Sequence, residues 1–351
     1  MDRLIESFRH TLAAARRHAT PLSISAGDSK AFYGRQPRGD TFSIREYTGV
    51  IDYSPTELVI SARAGTPLTE IEAALTAENQ GLAFEPPHFG TGATLGGTIA
   101  CGLSGPRRPY VGAARDFVLG ITCLNGTGEY LRFGGQVMKN VAGYDVSRFL
   151  TGSLGTLAVL LDISLKVLPR PESDITLIRE TTAAEAIRLF NHWAGKPLPL
   201  SAACFYDGQL AVRLSGNRRG VAAAAETLGG DPMDPAASFW QDIREHRHVF
   251  FSGTEPLWRM SVPAAAAPLP LEGAELIDWG GAQRWIRTRL PAAQVRAVAT
   301  TAGGHATLFR GNDRDTVFQA LPAPLLALHQ RLKRSFDPDD ILNPGRMYAE
   351  L

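Results

Sequence analysis

The segment Gly90-Thr91-Gly92-Ala93-Thr94-Leu95-Gly96-Gly97-Thr98-Ile99-Ala100-Cys101-Gly102-Leu103-Ser104-Gly105 decides how the rest of the chain is read. Its glycines alternate with small and hydroxyl-bearing residues, a composition that lets main chain take positive φ and approach another backbone or a ligand closely. The spacing is GxGxxxG rather than GxGxxG. Pro86-Pro87 also stands where a buried strand would have to lead into a dinucleotide-binding turn, so a Rossmann loop is rejected. No GxxxxGK[ST] occurs either, since Gly195-Lys196 is followed by proline and lacks the upstream glycine. Of the chain's 35 glycines, 16 fall between Gly81 and Gly155. Such density costs folding entropy that a purely structural loop rarely justifies, and a ligand cradled by main chain is the simplest account of it.

Working outward, Ser25-Ala26-Gly27-Asp28-Ser29 is a second loop of small and polar residues, expected to converge with the first on a phosphate pair. Leu4, Phe8, Leu12 and Ala15 recur at helical spacing before it, and Leu22-Ser23-Ile24 reads as a short strand. Residues 57–64 form a strand; Thr66 and Pro67 then supply an N-cap and first residue for a helix that turns Leu68, Ile71 and Leu75 inward and stops at Gly81. Asn125-Gly126 predicts a hairpin between residues 117–124 and 128–133, and residues 157–168 a long strand. After Pro169-Arg170-Pro171 the glycine-rich texture ends. A strand at 175–179 and a helix from Thr182, with Glu185 completing a capping box, open a second series. Hairpins about Asp207-Gly208 and Gly280-Gly281 and helices over 221–228, 235–246 and 291–302 continue it, giving two α+β halves. The alanines at 264–267, fenced by Pro263 and Pro268, read as a linker.

Composition removes several classes of function. A length of 351 residues exceeds the ~100–200 of a typical single domain. A net charge of +1 leaves no global field to attract nucleic acid or an acidic membrane. No apolar stretch approaches the ~18 residues of a membrane span. Asp2, Arg3, Glu6, Arg9, Arg16 and Arg17 interrupt the N-terminus, which argues against a signal peptide and for a cytoplasmic protein. Cys101, Cys123 and Cys204 form neither a CxxC nor an even set, so disulfides and metal clusters are not expected and redox chemistry needs a borrowed cofactor.

The run 94–100, then Gly102-Leu103-Ser104-Gly105, Arg115-Asp116-Phe117-Val118-Leu119-Gly120, Gly143-Tyr144-Asp145 and Gly152-Ser153-Leu154-Gly155-Thr156-Leu157 resemble the vanillyl-alcohol-oxidase (PCMH-type) FAD-binding domain. Asp337-Pro338 with Ile341-Leu342-Asn343-Pro344-Gly345 looks like the tail that such flavoproteins fold back onto that domain. Leu257-Trp258-Arg259-Met260-Ser261-Val262-Pro263 and Asp278-Trp279-Gly280-Gly281-Ala282-Gln283-Arg284-Trp285 extend the likeness, over nearly the whole chain, to the FAD-binding E subunits of bacterial glycolate oxidases. The resemblance implies an α+β fold: a two-subdomain FAD-binding domain over 1–170, a ferredoxin-like cap domain over 171–322, and a C-terminal helix and tail over 323–351. It assigns Ala26, Gly27, Asp28 and Ser29 to the FAD pyrophosphate. Gly92, Ala93, Thr94, Gly96, Gly97, Thr98, Gly102 and Ser104 go to the pyrophosphate, ribityl and flavin, and Gly155, Thr156 and Val159 to the flavin edge. Covalent members carry a histidine in the first loop; none stands at 25–30, so FAD is expected to be non-covalent. His88, beside a turn, reads as merely hydrogen-bonded, and Cys101 as a packing residue.

The implied reaction is oxidation of glycolate to glyoxylate, with electrons passed through flavin to an iron-sulfur partner. The implied partners are a sister FAD subunit and an iron-sulfur subunit, through which the complex would sit against the inner face of the cell membrane. Such chemistry needs a base for the hydroxyl proton and a guanidinium for the carboxylate; Arg259, His305 and Arg310 are the candidates. The histidine-rich metal motif of catalytic relatives is not matched, and His246 and His248 lie two apart on an expected helix, about 200° apart in direction and read as a solvated helix end. No metal site is expected. Two other readings stay open: an electron-transfer or assembly subunit that does not itself oxidise substrate, and a stand-alone FAD-dependent alcohol or 2-hydroxy-acid oxidase.

Overall fold

The computed structural model describes residues 3–135 and 145–351; Gly143 and Tyr144 of the sequence motif lie outside them. Helix α1 (Arg3–His18) buries Ile5, Phe8, Leu12 and Ala15, the face its apolar spacing dictates. Strands β1 (Leu22–Ser25) and β2 (Asp40–Ser43) pair in parallel. Then come β3 (Val50–Ser54), β4 (Val59–Arg63) and α2 (Leu68–Ala77). The Thr66 cap expected of α2 is not made. Its hydroxyl instead accepts from the Gly49 amide and donates to the Gly49 carbonyl, and Pro67 becomes the N-cap. The helix also ends before Gly81, which pairs as part of β5 (Gln80–Gly81).

Short helices α3 (Leu95–Cys101), α4 (Arg108–Val111) and α5 (Ala114–Phe117) lead into β6 (Val118–Asn125) and β7 (Tyr130–Gly134). Asn125 shapes this hairpin directly, its Oδ1 accepting from the amides of Thr127 and Glu129. After α6 (Val146–Leu150), β8 (Ala158–Lys166) runs between β4 and β6, giving an antiparallel sheet of order β3-β4-β8-β6-β7. Strand β9 (Leu168–Pro169) closes against β5.

The chain then builds a second sheet. β10 (Ser173–Glu180), α7 (Ala183–Ala194), β11 (Leu200–Tyr206), β12 (Gln209–Gly216), α8 (Arg218–Leu228) and β13 (Asp231–Pro232) follow a βαββαβ course with strand order β13-β10-β12-β11. That is the ferredoxin-like arrangement. After α9 (Ala236–Glu245), strands β14 (Leu257–Ser261), β15 (Ala274–Asp278) and β16 (Gln283–Arg287), helix α10 (Ala292–Thr301) and β17 (His305–Arg310) repeat the order as β15-β16-β14-β17. Pairing of β11 with β15 fuses the two halves into one eight-stranded sheet. The helix that would lie between β14 and β15 is replaced by the proline-fenced stretch at 263–270. Thr182 caps α7 through the Glu185 amide, but only half of the capping box forms, because the Glu185 carboxylate turns to Arg188 (2.7 Å).

Period-2 alternation divides this sheet's faces. Phe205, Val212 and Leu214 pack with α7 and α8, and Trp258, Met260 and Ile286 with Val295 and Ala299 of α10. The opposite face, with Leu257, Trp285 and Phe309, packs against Tyr33, Leu103 and Leu154 of the first half. On this packing we propose domain boundaries near residues 170 and 322.

Helix α11 (Ala323–Phe336) carries the chain back to the first half. Its only fully buried residue is Lys333, whose Nζ donates to Thr156 O (2.8 Å), Leu342 O (2.7 Å) and Asp337 Oδ2 (2.7 Å). The tail then pairs with β1: Leu22 N donates to Ile341 O, and Asn343 N to Leu22 O. Replacing Lys333 by Ala leaves the Asp337 carboxylate buried without its countercharge, held only by the amides of Ile341 and Leu342. The expected cost is about 3–5 kcal/mol in urea unfolding, with the tail beyond residue 337 becoming the first site of limited proteolysis; an unaltered midpoint would show that the tail is held by other contacts.

Candidate functional site

Between the first loop, α3, the start of β8 and the returning tail lies a cleft. Glycine packing shapes it. A Cβ at Gly27 would overlap the Gly92 carbonyl, and one at Gly92 the Gly27 carbonyl, so the two glycine-rich loops touch backbone to backbone. At Gly96 a Cβ would meet the Ala64 Cβ at 2.7 Å, which sets α3 tight against the end of β4. These glycines serve chain-to-chain contact. Only at Gly97 would a Cβ meet little more than the Thr94 hydroxyl, at 3.2 Å.

Hydrogen bonding separates the two loops by role. At the start of α3 the amides are spoken for: Leu95 N donates to Thr66 O, Gly96 N to Ala64 O and Gly97 N to Thr94 Oγ1. In the first loop, among the described residues, the amides of Gly27, Asp28, Ser29 and Lys30 donate to no protein acceptor. Asp28 at φ +55° bends this stretch, and consecutive free amides in such a bend make an anion-binding concavity. Two buried cations flank it. Lys30 is 6% exposed, with the His88 carbonyl at 3.3 Å, and burial pushes its ammonium below the ordinary value. Arg346 donates to the carbonyls of Ala31 and Tyr33, and burial lowers it to about 10. Free amides and unpaired cations in a partly apolar slot fit a dinucleotide's diphosphate, while Ala158, Leu160 and Ile44 offer apolar wall for a ring. The residues present therefore suit FAD.

Of the residues singled out from sequence, Ala26, Gly27, Asp28, Ser29, Gly92, Thr94, Gly96, Gly97 and Gly155 line this cleft. Ala93 and Thr98 are buried behind it. Gly102 and Ser104 line neighbouring clefts instead. The Thr156 hydroxyl donates to Ser153 O, and Val159 faces the core from the opposite side of β8 to Ala158 and Leu160. Sequence reasoning passed over Lys30, Asn343 and Arg346, all of which line the cleft, and Cys101, read as packing, also lines it. Asn343 is anchored at both ends of its amide, Oδ1 accepting from Ile24 N (2.7 Å) and Nδ2 donating to Leu154 O (2.7 Å). The likeness of the tail to a returning segment was the available signal for Asn343; a lone lysine after a serine carried none.

A second opening lies between the two domains, beside the C-terminal end of α3. Arg259 projects from β14 toward the first half, donates to Tyr33 Oη (3.0 Å) and shares a cleft with His305 of β17. His305 is exposed at the cleft; desolvation and then Arg259 lower its pKa, which favours the neutral imidazole that can accept a proton. Arg310 is not brought to them. Its guanidinium stacks 3.8 Å above Phe32, on the far side of the aromatic cluster.

His246 corrects the sequence reading most sharply. It is no solvated helix end but the left-handed cap of α9 (φ +56°), stacked on Phe251 at 4.0 Å and packed against Trp285 and Phe309. Its Nδ1 has no partner among the described residues, and burial drives its pKa well below the ordinary value. His88 is hydrogen-bonded as expected, its ring to Glu72 (3.0 Å) and its amide to Glu245 of α9. Among the described residues no cluster of His, Cys, Asp or Glu could hold a metal.

Comparison with known proteins joins the two openings into one reading. Residues 4–134 match the family described as FAD binding domain, and residues 312–347 that described as FAD linked oxidases, C-terminal domain. The chain is 51% identical over 332 residues to glycolate oxidase subunit GlcE of Escherichia coli (strain K12), covering 95% of this chain and 94% of that one. The chain belongs to the GlcE family of FAD-linked oxidases. More distant similarity to D-lactate dehydrogenase of Anaerostipes hadrus (34% over 40% of this chain and 29% of that one) and glycolate oxidase subunit GlcD of Bacillus subtilis (37% over 29% and 22%) is partial. An alkyldihydroxyacetonephosphate synthase structure, TM-score 0.67 at 16% identity over 97% of this chain and 74% of that one, shares the fold. As a GlcE-family member the chain is an FAD-dependent oxidoreductase with an α+β fold. Among the described residues no helix is long and apolar enough to cross a membrane.

Two outcomes follow from the site. Gly27→Ala forces the loops apart at an expected cost of about 1–3 kcal/mol, which is about ten- to hundredfold in FAD affinity by fluorescence titration; undiminished binding would show that the loop contact does not shape the cradle. At the turn that carries Trp279, burial raises the Asp278 carboxyl to about 7, against roughly 4 in an unfolded chain. The folded state therefore binds more protons between these values, and stability is lost as pH rises from about 4 to about 7. Asp278→Asn is expected to flatten that part of the stability profile, and an unchanged slope would assign it elsewhere.

Proposed function

We propose that this chain is the FAD-binding E subunit of a glycolate oxidase complex and takes part in oxidising a small 2-hydroxy acid, glycolate, to its 2-oxo acid. The observation that supports this most is the likeness to GlcE, half identical from end to end, in a chain whose first loop keeps a bend of free amides between Lys30 and Arg346. Ala26, Gly27, Asp28 and Ser29 with Gly92, Thr94, Gly96 and Gly97 would hold FAD, and Gly155 with Asn343 would close the site. Bound there, FAD supplies two-electron acceptance from the substrate carbon. Among the described residues no histidine lines the cleft, which favours non-covalent attachment.

On the substrate side Arg259 binds and orients the carboxylate, and the neutral imidazole of His305 takes the hydroxyl proton. Arg310, stacked on Phe32, supports the aromatic wall between the domains. Three scattered cysteines offer no iron-sulfur ligand set. The electrons accordingly leave toward an iron-sulfur subunit, with a sister FAD subunit in the same cytoplasmic assembly, docked at the membrane through partners.

The decisive experiment uses FAD-loaded chain, alone and with its sister subunits, under anaerobic conditions. Bleaching of the flavin absorbance by glycolate in the isolated chain is expected, with Arg259→Lys slowing it about tenfold or more, the scale of one lost bidentate carboxylate contact. If bleaching requires the sister subunits, the chain relays electrons and the substrate assignment to Arg259 and His305 is overturned.

A further inference from the structure

The inter-domain cleft holds more positive charge than its surroundings balance. Arg108 of α4 and Arg115 of α5, both from the first half, meet Arg259 of β14 around an opening that also takes in Trp279 and His305. Among the described residues none of the three arginines forms an ion pair with a carboxylate; Arg259 donates to Tyr33 Oη, and Arg108 lies 4.3 Å above the Trp279 ring. The nearby Asp116 is turned to the Ala113 amide (2.8 Å). The guanidiniums feel one another: burial first, then Arg259 and Arg115, lower the pKa of Arg108. His305, neutral or cationic, supplies no negative charge to offset them.

Three like charges brought together from two domains, offset only in part by Asp116, which acts on Arg108 in the opposite sense, oppose closure of the domains unless a ligand supplies further negative charge. The local scaffold is nevertheless rigid. Trp279 is fixed by Nε1 donating to Gly105 O (3.0 Å), and the carboxylate of Asp278 caps the turn that holds it. We infer that Arg108, Arg115 and Arg259 form a subsite for the carboxylate of a small organic acid, seated against the indole of Trp279 and bridging the FAD domain to the cap. A planar carboxylate matches the guanidinium fork, and one contributed by each side of the cleft would join the domains through the ligand. The identity of the acid as a 2-hydroxy or 2-oxo acid rests on the proposed function; the anion subsite does not.

The test uses the full FAD-loaded chain and oxalate, glycolate and glyoxylate as probes. Tryptophan emission is expected to change saturably with oxalate in the wild type. Arg108→Gln and Arg115→Gln should each weaken binding about tenfold, the loss of one charge-assisted contact, with FAD content unchanged. Trp279→Phe should remove most of the optical signal while calorimetry still detects binding. Absence of saturable binding, or affinities in both arginine variants equal to wild type at equal FAD content, overturns the subsite. An acidic segment of a partner subunit as the true occupant would show as no oxalate binding together with loss of subunit co-purification in the double variant, and also overturns it. Failure of the two proposals is distinguishable. Oxalate binding without glycolate-dependent bleaching defeats the oxidase reading alone, whereas bleaching with an unaltered KM in Arg108→Gln and Arg115→Gln defeats the subsite alone.

Discussion

Backbone contact between Gly27 and Gly92 is the constraint on which the cofactor cleft rests. A side chain at either position would hold the loops apart, and the bend at 27–30 would no longer face the start of α3. The contact also settles what each loop contributes. The second loop spends its helix-start amides on Thr66, Ala64 and Thr94, so it acts as a wall, and the first, leaning on that wall, keeps its amides free. Much of the glycine excess read from sequence as contact with a ligand is contact between two pieces of chain. The ligand benefits because those pieces are brought within reach of it.

Much of the fold was legible because its signals are local. The apolar spacing of α1, the Asn125 turn, the Asp207-Gly208 hairpin and the prolines around 263–268 each act within a few residues, and the structure follows them. What departed did so through partners distant in sequence. Thr66 looked like a cap until Gly49, folded against it, took both of its hydrogen-bonding roles. The Glu185 half of a capping box was lost to Arg188, a closer and charged partner. The seam between β11 and β15 needs two hairpins separated by some 70 residues to align, and no local pattern encodes it.

The candidate site divides along the same line. Small residues clustered in two loops announce a cradle; its cations, Lys30 and Arg346, come singly from segments with no motif. Val159 was placed by the family resemblance, whereas period-2 geometry turns it away and presents Ala158 and Leu160. His246 shows the limit of helical-wheel reasoning: the residue closes the helix in a left-handed turn, and that single dihedral swings it into an aromatic cage.

The returning tail has a consequence for biogenesis. Asn343 and Arg346 complete a cavity whose other walls were synthesised about 180 to 320 residues earlier, and Lys333 fastens them there through the carbonyls of Thr156 and Leu342. On the ribosome the nucleotide cradle stays open on one side until nearly the last codons have been translated. A chain that stops short of the tail therefore lacks the wall that Asn343 and Arg346 supply to the cradle.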